Sequence, residues 1–303
     1  ERFLMFDQIS IIGCGLIGSS IFKRLKKTGS TKKIITFDNN KSVNEIIEKD
    51  KLSDEIFNSA GEAVKNSDLV IIATPISSFE NVLSSIKGNL KAGSILTDTC
   101  SVKTGVSKTF EKMNLKNSIF IPGHPVAGIE NSGPKAGFAE LFEGRWTILT
   151  PNKKINEKEI KKVSNFWESM GSKVKIMSDE DHDKILTFTS HLPHVVAYNI
   201  VKTSMSNDEK VKGDIIKYSA GGLRDFTRIA ASDPIMWRDI FIDNSALIIQ
   251  AIDKFIKNLD EFKKAISDKD SKKLIEIFEK SKDFRKSVIK AGQDTDQPDF
   301  GRK

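Results

Sequence analysis

The sequence predicts an α/β protein, a doubly wound parallel sheet followed by an all-α half. Three observations predict it. Short apolar runs alternate with helical runs through residue 176, the first turn between them carries a glycine pattern, and beyond Ser178 only helical periodicity remains. At 303 residues the chain is long for one hydrophobic core, so two domains, 1–176 and 177–303, are expected.

Gln8-Ile9-Ser10-Ile11-Ile12 reads as a buried strand, followed by Gly13-Cys14-Gly15-Leu16-Ile17-Gly18 and a helical run over 19–27. A second strand, Ile34-Ile35-Thr36-Phe37, ends at Asp38. Gly13 permits the tight turn, Gly15 lets the backbone approach a pyrophosphate, and Gly18 lets helix and strand pack closely. The phosphates would sit on the helix N-terminus at Leu16 and Ile17, where free N–H groups and the dipole favour negative charge. Asp38 comes twenty residues after Gly18. An acid there accepts hydrogen bonds from a ribose 2′-hydroxyl and repels a 2′-phosphate, so NAD is expected rather than NADP. An isolated GxGxxG mostly marks an ordinary loop; with strand, helix, second strand and acid in register, the stretch reads as a Rossmann-type dinucleotide site.

Helical runs over 39–51 and 60–66 lead to the strand Leu69-Val70-Ile71-Ile72-Ala73, apolar throughout, as expected where both faces of a parallel sheet are covered. Thr74 and Pro75 end it on the cofactor side. A helix over 78–87, the strand Ile95-Leu96-Thr97, the segment Asp98-Thr99-Cys100-Ser101-Val102-Lys103 and a helix over 103–113 follow. The strand Ile119-Phe120-Ile121 then runs out at Pro122-Gly123-His124-Pro125. Ligands bind beyond the carboxyl ends of such strands, and Gly13, Asp38, Thr74, Ser101 and His124 would share that edge. Trp146–Leu149 and Lys173–Ile176 read as further strands around a helix over 157–170. The second half is helical over 184–201, 214–218, 234–264 and 271–290. Within 234–264, Ile240, Asn244, Leu247, Ala251, Phe255, Leu259 and Phe262 recur every three or four residues, and Phe241, Ile248, Ile252 and Ile256 widen the face. A face that broad predicts a homodimer; the alternative is a helix buried within the monomer. Residues 293–303 read as a loose polar tail.

Hydrophobic residues at 38% and charged ones at 29% suit a soluble globular chain. No apolar run approaches the ~20 residues of a membrane span, so no membrane association and a cytoplasmic location are expected. The net charge of +7 is spread over lysine-rich helix faces without interleaved aromatics, which argues against nucleic acid, although it would gather an anionic metabolite. Cys14 and Cys100 form no disulfide framework and read as reduced thiols.

His124 is the first candidate for chemistry, because it follows a strand end between Gly123 and Pro125 and an imidazole suits proton transfer near neutral pH. Ser101, near the neighbouring strand end, could share its substrate hydroxyl; alone it would pass as a helix N-cap. In Ser190-His191-Leu192-Pro193-His194, Pro193 suits a first helical turn, which would put His194 beside free N–H groups. The HxxH spacing of His191 and His194 lacks a matching third ligand, and Asp179, Asp181, His182 and Asp183 read as a polar helix start, so no metal is expected. Arg224 and Arg228 share a helix face, and Asp225 stands three residues from Arg228, so a guanidinium could be held to bind a carboxylate. The plain reading of that group is a surface ion pair.

Taken together, Asp98 to Lys103, the run Gly123-His124-Pro125-Val126-Ala127-Gly128-Ile129-Glu130-Asn131-Ser132-Gly133, Ser190 to His194 and Gly221 to Trp237 resemble the prephenate and arogenate dehydrogenases of tyrosine biosynthesis. The resemblance runs from Ile9 to about Lys290. It implies NAD-dependent oxidative decarboxylation of a small dianion, with His124 as base supported by Ser101. It further implies that Arg228 binds a substrate carboxylate, that His194 lines the pocket, that Trp237 belongs to the same wall or to the interface beside it, that Glu130 lies at the pocket mouth, and that the helical half dimerises. Ile129 departs from the small polar residue often found there. Two rival readings remain at this point. A β-hydroxyacid dehydrogenase of the 6-phosphogluconate type would use Lys184 and Asn199, and a non-catalytic NAD-binding sensor would need no convergence of His124, Ser101 and Arg228.

Overall fold

The computed structural model describes residues 5–115, 118–129 and 131–293. The chain builds β1 (Phe6–Ile12), α1 (Leu16–Thr28), β2 (Thr31–Phe37), α2 (Lys41–Lys49), β3 (Glu55–Ile56), α3 (Ala60–Val64), β4 (Leu69–Ile72), α4 (Phe79–Ile86), β5 (Ser94–Asp98), α5 (Thr104–Met113) and β6 (Ser118–Phe120). Among the described residues the six strands form one parallel sheet in the order β3-β2-β1-β4-β5-β6. The reversal of winding between β1 and β4 creates the crevice where such sheets take ligands.

Alternation along the strands divides the core into two layers. Ile9, Ile11, Leu69, Ile71 and Ile95 face one way, against Ile21, Phe22 and Leu25 of α1. Ile12, Val70, Ile72 and Leu96 face the other, against Ala63 and Val64 of α3, Leu83 and Ile86 of α4 and Val106 of α5. Burial on both faces is why the central strand β4 is apolar throughout.

After β6 the chain departs from the expected course. Residues 123–125 are no loop at the sheet's edge but a strand, β7 (Gly123–Pro125), which pairs antiparallel with β8 (Trp146–Leu149). After α6 (Glu157–Ser169), β9 (Lys173–Ile176) joins β8 in parallel. Trp146–Leu149 and Lys173–Ile176 are therefore strands as expected, but of a second sheet. The two sheets meet where Ile121 N–H donates to Leu96 O at 2.9 Å and Gly123 N–H to Asp98 Oδ1 at 3.1 Å. Gly123 is closely packed there, since a Cβ would meet Asp98 O at 3.0 Å.

The remaining elements are helical: α7 (Asp179–Leu186), α8 (Leu192–Met205), α9 (Glu209–Lys217), α10 (Gly221–Thr227), α11 (Pro234–Asp243), α12 (Ser245–Ser267) and α13 (Ser271–Lys290). Two continuous helices expected from periodicity are interrupted. The run over 184–201 contains a wide π turn, Thr187–His191, between α7 and α8. Pro193 accounts for it: the ring removes an N–H and clashes with the carbonyl four residues earlier, so the chain widens by a residue. The run over 234–264 breaks at Asn244, whose side chain is drawn inward to Thr187 and His191 at 2.9 and 3.0 Å. Asn244 therefore belongs to a polar cluster and not to the apolar face.

Two compact units are distinguished, residues 1–248 and 249–303. The second has its own aromatic contact, Phe262 with Phe278 at 6.1 Å between ring centres. No helix among the described residues is long and apolar enough to cross a membrane.

Candidate active site

The glycine turn is built as its spacing requires. Gly13 has φ +90°, and a Cβ there would stand 2.7 Å from Thr74 Cγ2; a Cβ on Gly18 would meet Gly13 O at 2.2 Å. Both close approaches hold β1, α1 and the exit of β4 together. Gly15 is different: nothing lies within 4 Å of where its Cβ would be, so the loop presents open backbone. The first turn of α1, at Leu16 and Ile17, has no side-chain cap and no acid, leaving its N–H groups and dipole to a negative ligand. Asp38, at the end of β2, accepts from Cys14 N–H at 2.8 Å and Asn40 N–H at 2.9 Å, which fixes its carboxylate beside that loop. Thr74 and Pro75 follow β4, and Thr74 Oγ1 is buried without a partner among the described residues. This donor set fits a dinucleotide: an open glycine, a bare helix N-terminus for pyrophosphate, and an anchored acid for a ribose diol.

Cys14 and Cys100 are free and buried. Burial pushes Cys14 up to about 12 and Cys100 well above the ordinary thiol value, so neither is a nucleophile near neutral pH.

His124 sits on β7, buried. Its Nδ1 lies 2.8 Å from His182 Nε2, and His182 Nδ1 lies 2.8 Å from Asp183 Oδ1. Asp183 also accepts from the backbone N–H of Lys103 and Thr104 at 2.8 and 2.9 Å, so it caps α5. The residue before that helix is Lys103, and Ser101 caps nothing: it lies three residues beyond β5, half-buried. Lys103 is itself fully buried. Its ammonium pairs with Asp98 and donates to Gly123 O at 2.6 Å. Asp98 and Lys103 thus clasp both backbone groups of the residue before His124.

The electrostatics follow from this enclosure. Burial, then the neighbouring His182, Lys103 and His191, hold the His124 imidazole well below its usual value. Burial also lowers His182, against the pull of Asp183. Burial would raise Asp183, but hydrogen bonds from His182, Thr104 and Lys103 outweigh it and keep the carboxyl below its ordinary range. His124 is thus held neutral, the form in which an imidazole can accept a proton.

A second group continues from this one. Asn244 Nδ2 donates to His191 Nδ1 at 3.0 Å, so His191 carries its proton on Nε2, which is buried without a partner among the described residues. Burial takes His191 down to about 4. Its ring meets Trp237 edge-on at 6.2 Å, and Trp237 stacks on His194 at 3.5 Å and 21°. His194 donates from Nδ1 to Ser190 O at 2.8 Å. The expectation that His194 faces free helix N–H groups fails, because the π turn runs into α8 and Leu192 N–H already bonds Thr187 O. His194 is lowered instead by burial and by the charge of Arg228. Arg228 stands just past α10, opening a short 3₁₀ turn over Arg228–Ala231. Asp225 lies 3.5 Å from Arg224 Nε. Glu130 falls outside the described residues.

Trp237 thus meets the rings of both His191 and His194, while the hydrogen bond of His124 goes to His182 and not to Ser101. Sequence reasoning treated His182 and Asp183 as a solvated helix start. Ser178 and the acids of the first turn do start the helix, but His182 and Asp183 are its inward face. The signal was available in the i, i+4 step from that pair to Leu186 and Thr187, all four of them buried.

Comparisons with known proteins match both halves of the chain. The family model described as the nucleotide-binding domain of prephenate dehydrogenase matches residues 21–176, and the model of its dimerization domain matches 178–280. The cyclohexadienyl dehydrogenase of Zymomonas mobilis is 38% identical over 281 residues, 93% of this chain and 96% of that one. The prephenate dehydrogenase of Bacillus subtilis is 32% identical over 93% of this chain and 76% of its own. The crystal structure of prephenate dehydrogenase from Aquifex aeolicus in complex with hydroxyphenyl propionate and NAD+ superposes with a TM-score of 0.85 at 35% identity, covering 93% of this chain and 98% of that one. With both halves matched and a relative 38% identical over 93% of the chain, the chain belongs to the prephenate dehydrogenase family of oxidoreductases.

Proposed function

We propose that this chain catalyses NAD-dependent oxidative decarboxylation of prephenate, arogenate or both, with His124 as the general base. The observation that carries the assignment is a buried, neutral imidazole whose Nδ1 is already engaged by a second histidine, set beside the carboxyl edge of a sheet with an open dinucleotide cradle. The cradle residues are Gly13, Gly15, Leu16, Ile17, Gly18, Asp38, Thr74 and Pro75, and the pairing of the anchored Asp38 with a ribose diol favours NAD over NADP. NAD, when bound, supplies the hydride acceptor. His124 draws the proton from the C4 hydroxyl as hydride leaves C4, which stabilises positive charge present mainly in the transition state. The electrons of the breaking ring-carboxylate bond complete the aromatic ring, CO2 departs, and the proton returns from His124 to the phenolate oxygen.

Ser101 stands at the same strand edge to share that hydroxyl. Arg228 binds the side-chain carboxylate, with Asp225 beside it, and His194 and Trp237 form the wall against the ring. Residues 1–176 serve the cofactor, and 177–303 serve substrate and assembly as a homodimer. The match to a dimerization domain supports the last point, as do Ile256, Leu259 and Phe278, apolar side chains of the second unit left exposed in the single chain. Mixing the purified protein with NAD and either substrate, and following reduced-nicotinamide absorbance, tests the reading. Turnover with at least one substrate is expected, and silence with both would overturn it.

A further inference from the structure

We propose that His182 and Asp183 are positioning residues for proton transfer: they fix His124 as the Nδ1–H tautomer, leaving Nε2 as the atom that takes the substrate's hydroxyl proton. This deepens the assignment of His124 as base and rests on it. The argument follows the donors along the relay. The Asp183 carboxylate only accepts, and it already takes two backbone N–H groups of the α5 turn, so its orientation is set by the fold. The 2.8 Å contact to it therefore makes His182 Nδ1 a donor. A neutral His182 then has a bare Nε2, which can only accept, so the 2.8 Å contact to His124 makes His124 Nδ1 the donor. Each neutral imidazole carries one N–H, and the single base site of the relay becomes His124 Nε2.

Three structural details keep the relay in this state. His182 is fully buried, so water cannot compete for its nitrogens. The clasp of Asp98 and Lys103 on Gly123 holds the strand that presents His124. The Lys103 charge stands near both rings and opposes resting protonation of either. When His124 Nε2 accepts the hydroxyl proton, the new positive charge is hydrogen-bonded through His182 toward Asp183. In this step the O–H bond breaks and an N–H bond forms on His124 Nε2 as hydride leaves C4, and the proton goes back by the same path once the ring is aromatic.

The chain has four histidines, so ¹⁵N spectra of imidazole-labelled protein at neutral pH can separate them. His124 and His182 are expected as Nδ1–H tautomers, with His191 as Nε2–H for comparison, and His124 assigned by its loss in His124→Asn. Finding His124 protonated on Nε2 would overturn the proposal whether or not His124 is the base. In kinetics, His182→Leu removes the acceptor and is expected to lower kcat about 10²-fold with KM for substrate and NAD little changed. His182→Gln, whose amide oxygen can accept from His124 Nδ1–H, is expected to recover most of that loss. A glutamine variant as impaired as the leucine variant would contradict the positioning role. If the leucine variant does not fold, the wild-type tautomer and the glutamine variant still decide the matter. Loss of activity in His124→Asn is a separate result, bearing on the base assignment alone.

Discussion

At the scale of residues, environment selects His124 from four histidines. His191 has its Nδ1 occupied by Asn244, His194 bonds its own helix backbone, and His182 lies a layer deeper. In the proposed tautomer His124 keeps Nε2 as an acceptor while its Nδ1 is engaged by His182. Its depressed proton affinity has a consequence for pH dependence. A general base works only when unprotonated, and lowering its pKa moves the protonation that stops it to lower pH. The acid limb of kcat/KM is therefore expected below the ordinary imidazole value of 6.5, with activity level above it. A limb at or above that value in the pH profile would mean that His124 is not the group observed, or that it is solvated during turnover. His124 was legible in the sequence because Gly123 and Pro125 flank it after a strand. His182 and Asp183 were not, because a histidine among aspartates at a helix start has the composition of a solvated turn, and only the tertiary fold buries it.

At the scale of elements, the β1 turn and α1 act as one device. Gly18 and Gly15 carry the same letter but do different things, and substitution separates them. Gly18→Ala places a methyl 2.2 Å from Gly13 O, so it must push α1 from β1 at an overpacking cost of about 1–3 kcal/mol, and thermal stability and NAD affinity should fall together. Gly15→Ala meets nothing within 4 Å and lies at an ordinary negative φ, so stability should stay within about 0.5 kcal/mol. NAD binding should nonetheless weaken by about tenfold, near 1.4 kcal/mol, because the methyl occupies the cofactor's space. Calorimetric melting and NAD titration of both variants check this; equal stability losses would refute the distinction. The strands and helices of the parallel sheet were readable from apolar runs and turns, since each is a local pattern. The strand role of Gly123–Pro125 was not, because three residues with two ends defined by prolines have no period to read. The break at Asn244 was missed for a related reason: its cause is a pairing between helices, Asn244 with Thr187 and His191, that no window of one helix contains.

At the scale of the whole molecule, labour is divided between the two sheets and the helices. The parallel sheet leaves an uncapped helix N-terminus at its carboxyl edge, the second small sheet carries His124, and α7 supplies His182 and Asp183 as the hydrogen-bonded neighbours of that imidazole. The continuous network from Asp98 through Lys103 and Asp183 to His182 and His124 joins β5, α5, α7 and β7, so the site is assembled from parts far apart in sequence. The central claim is that His124 acts on the chemical step whereas Arg228 acts on binding, and steady-state kinetics of His124→Asn beside Arg228→Ala test it most directly. The account predicts that His124→Asn lowers kcat by at least ~10²-fold with a modest change in KM, and that Arg228→Ala mainly raises KM. An asparagine variant that keeps kcat, or an alanine variant that loses kcat at unchanged KM, would contradict it.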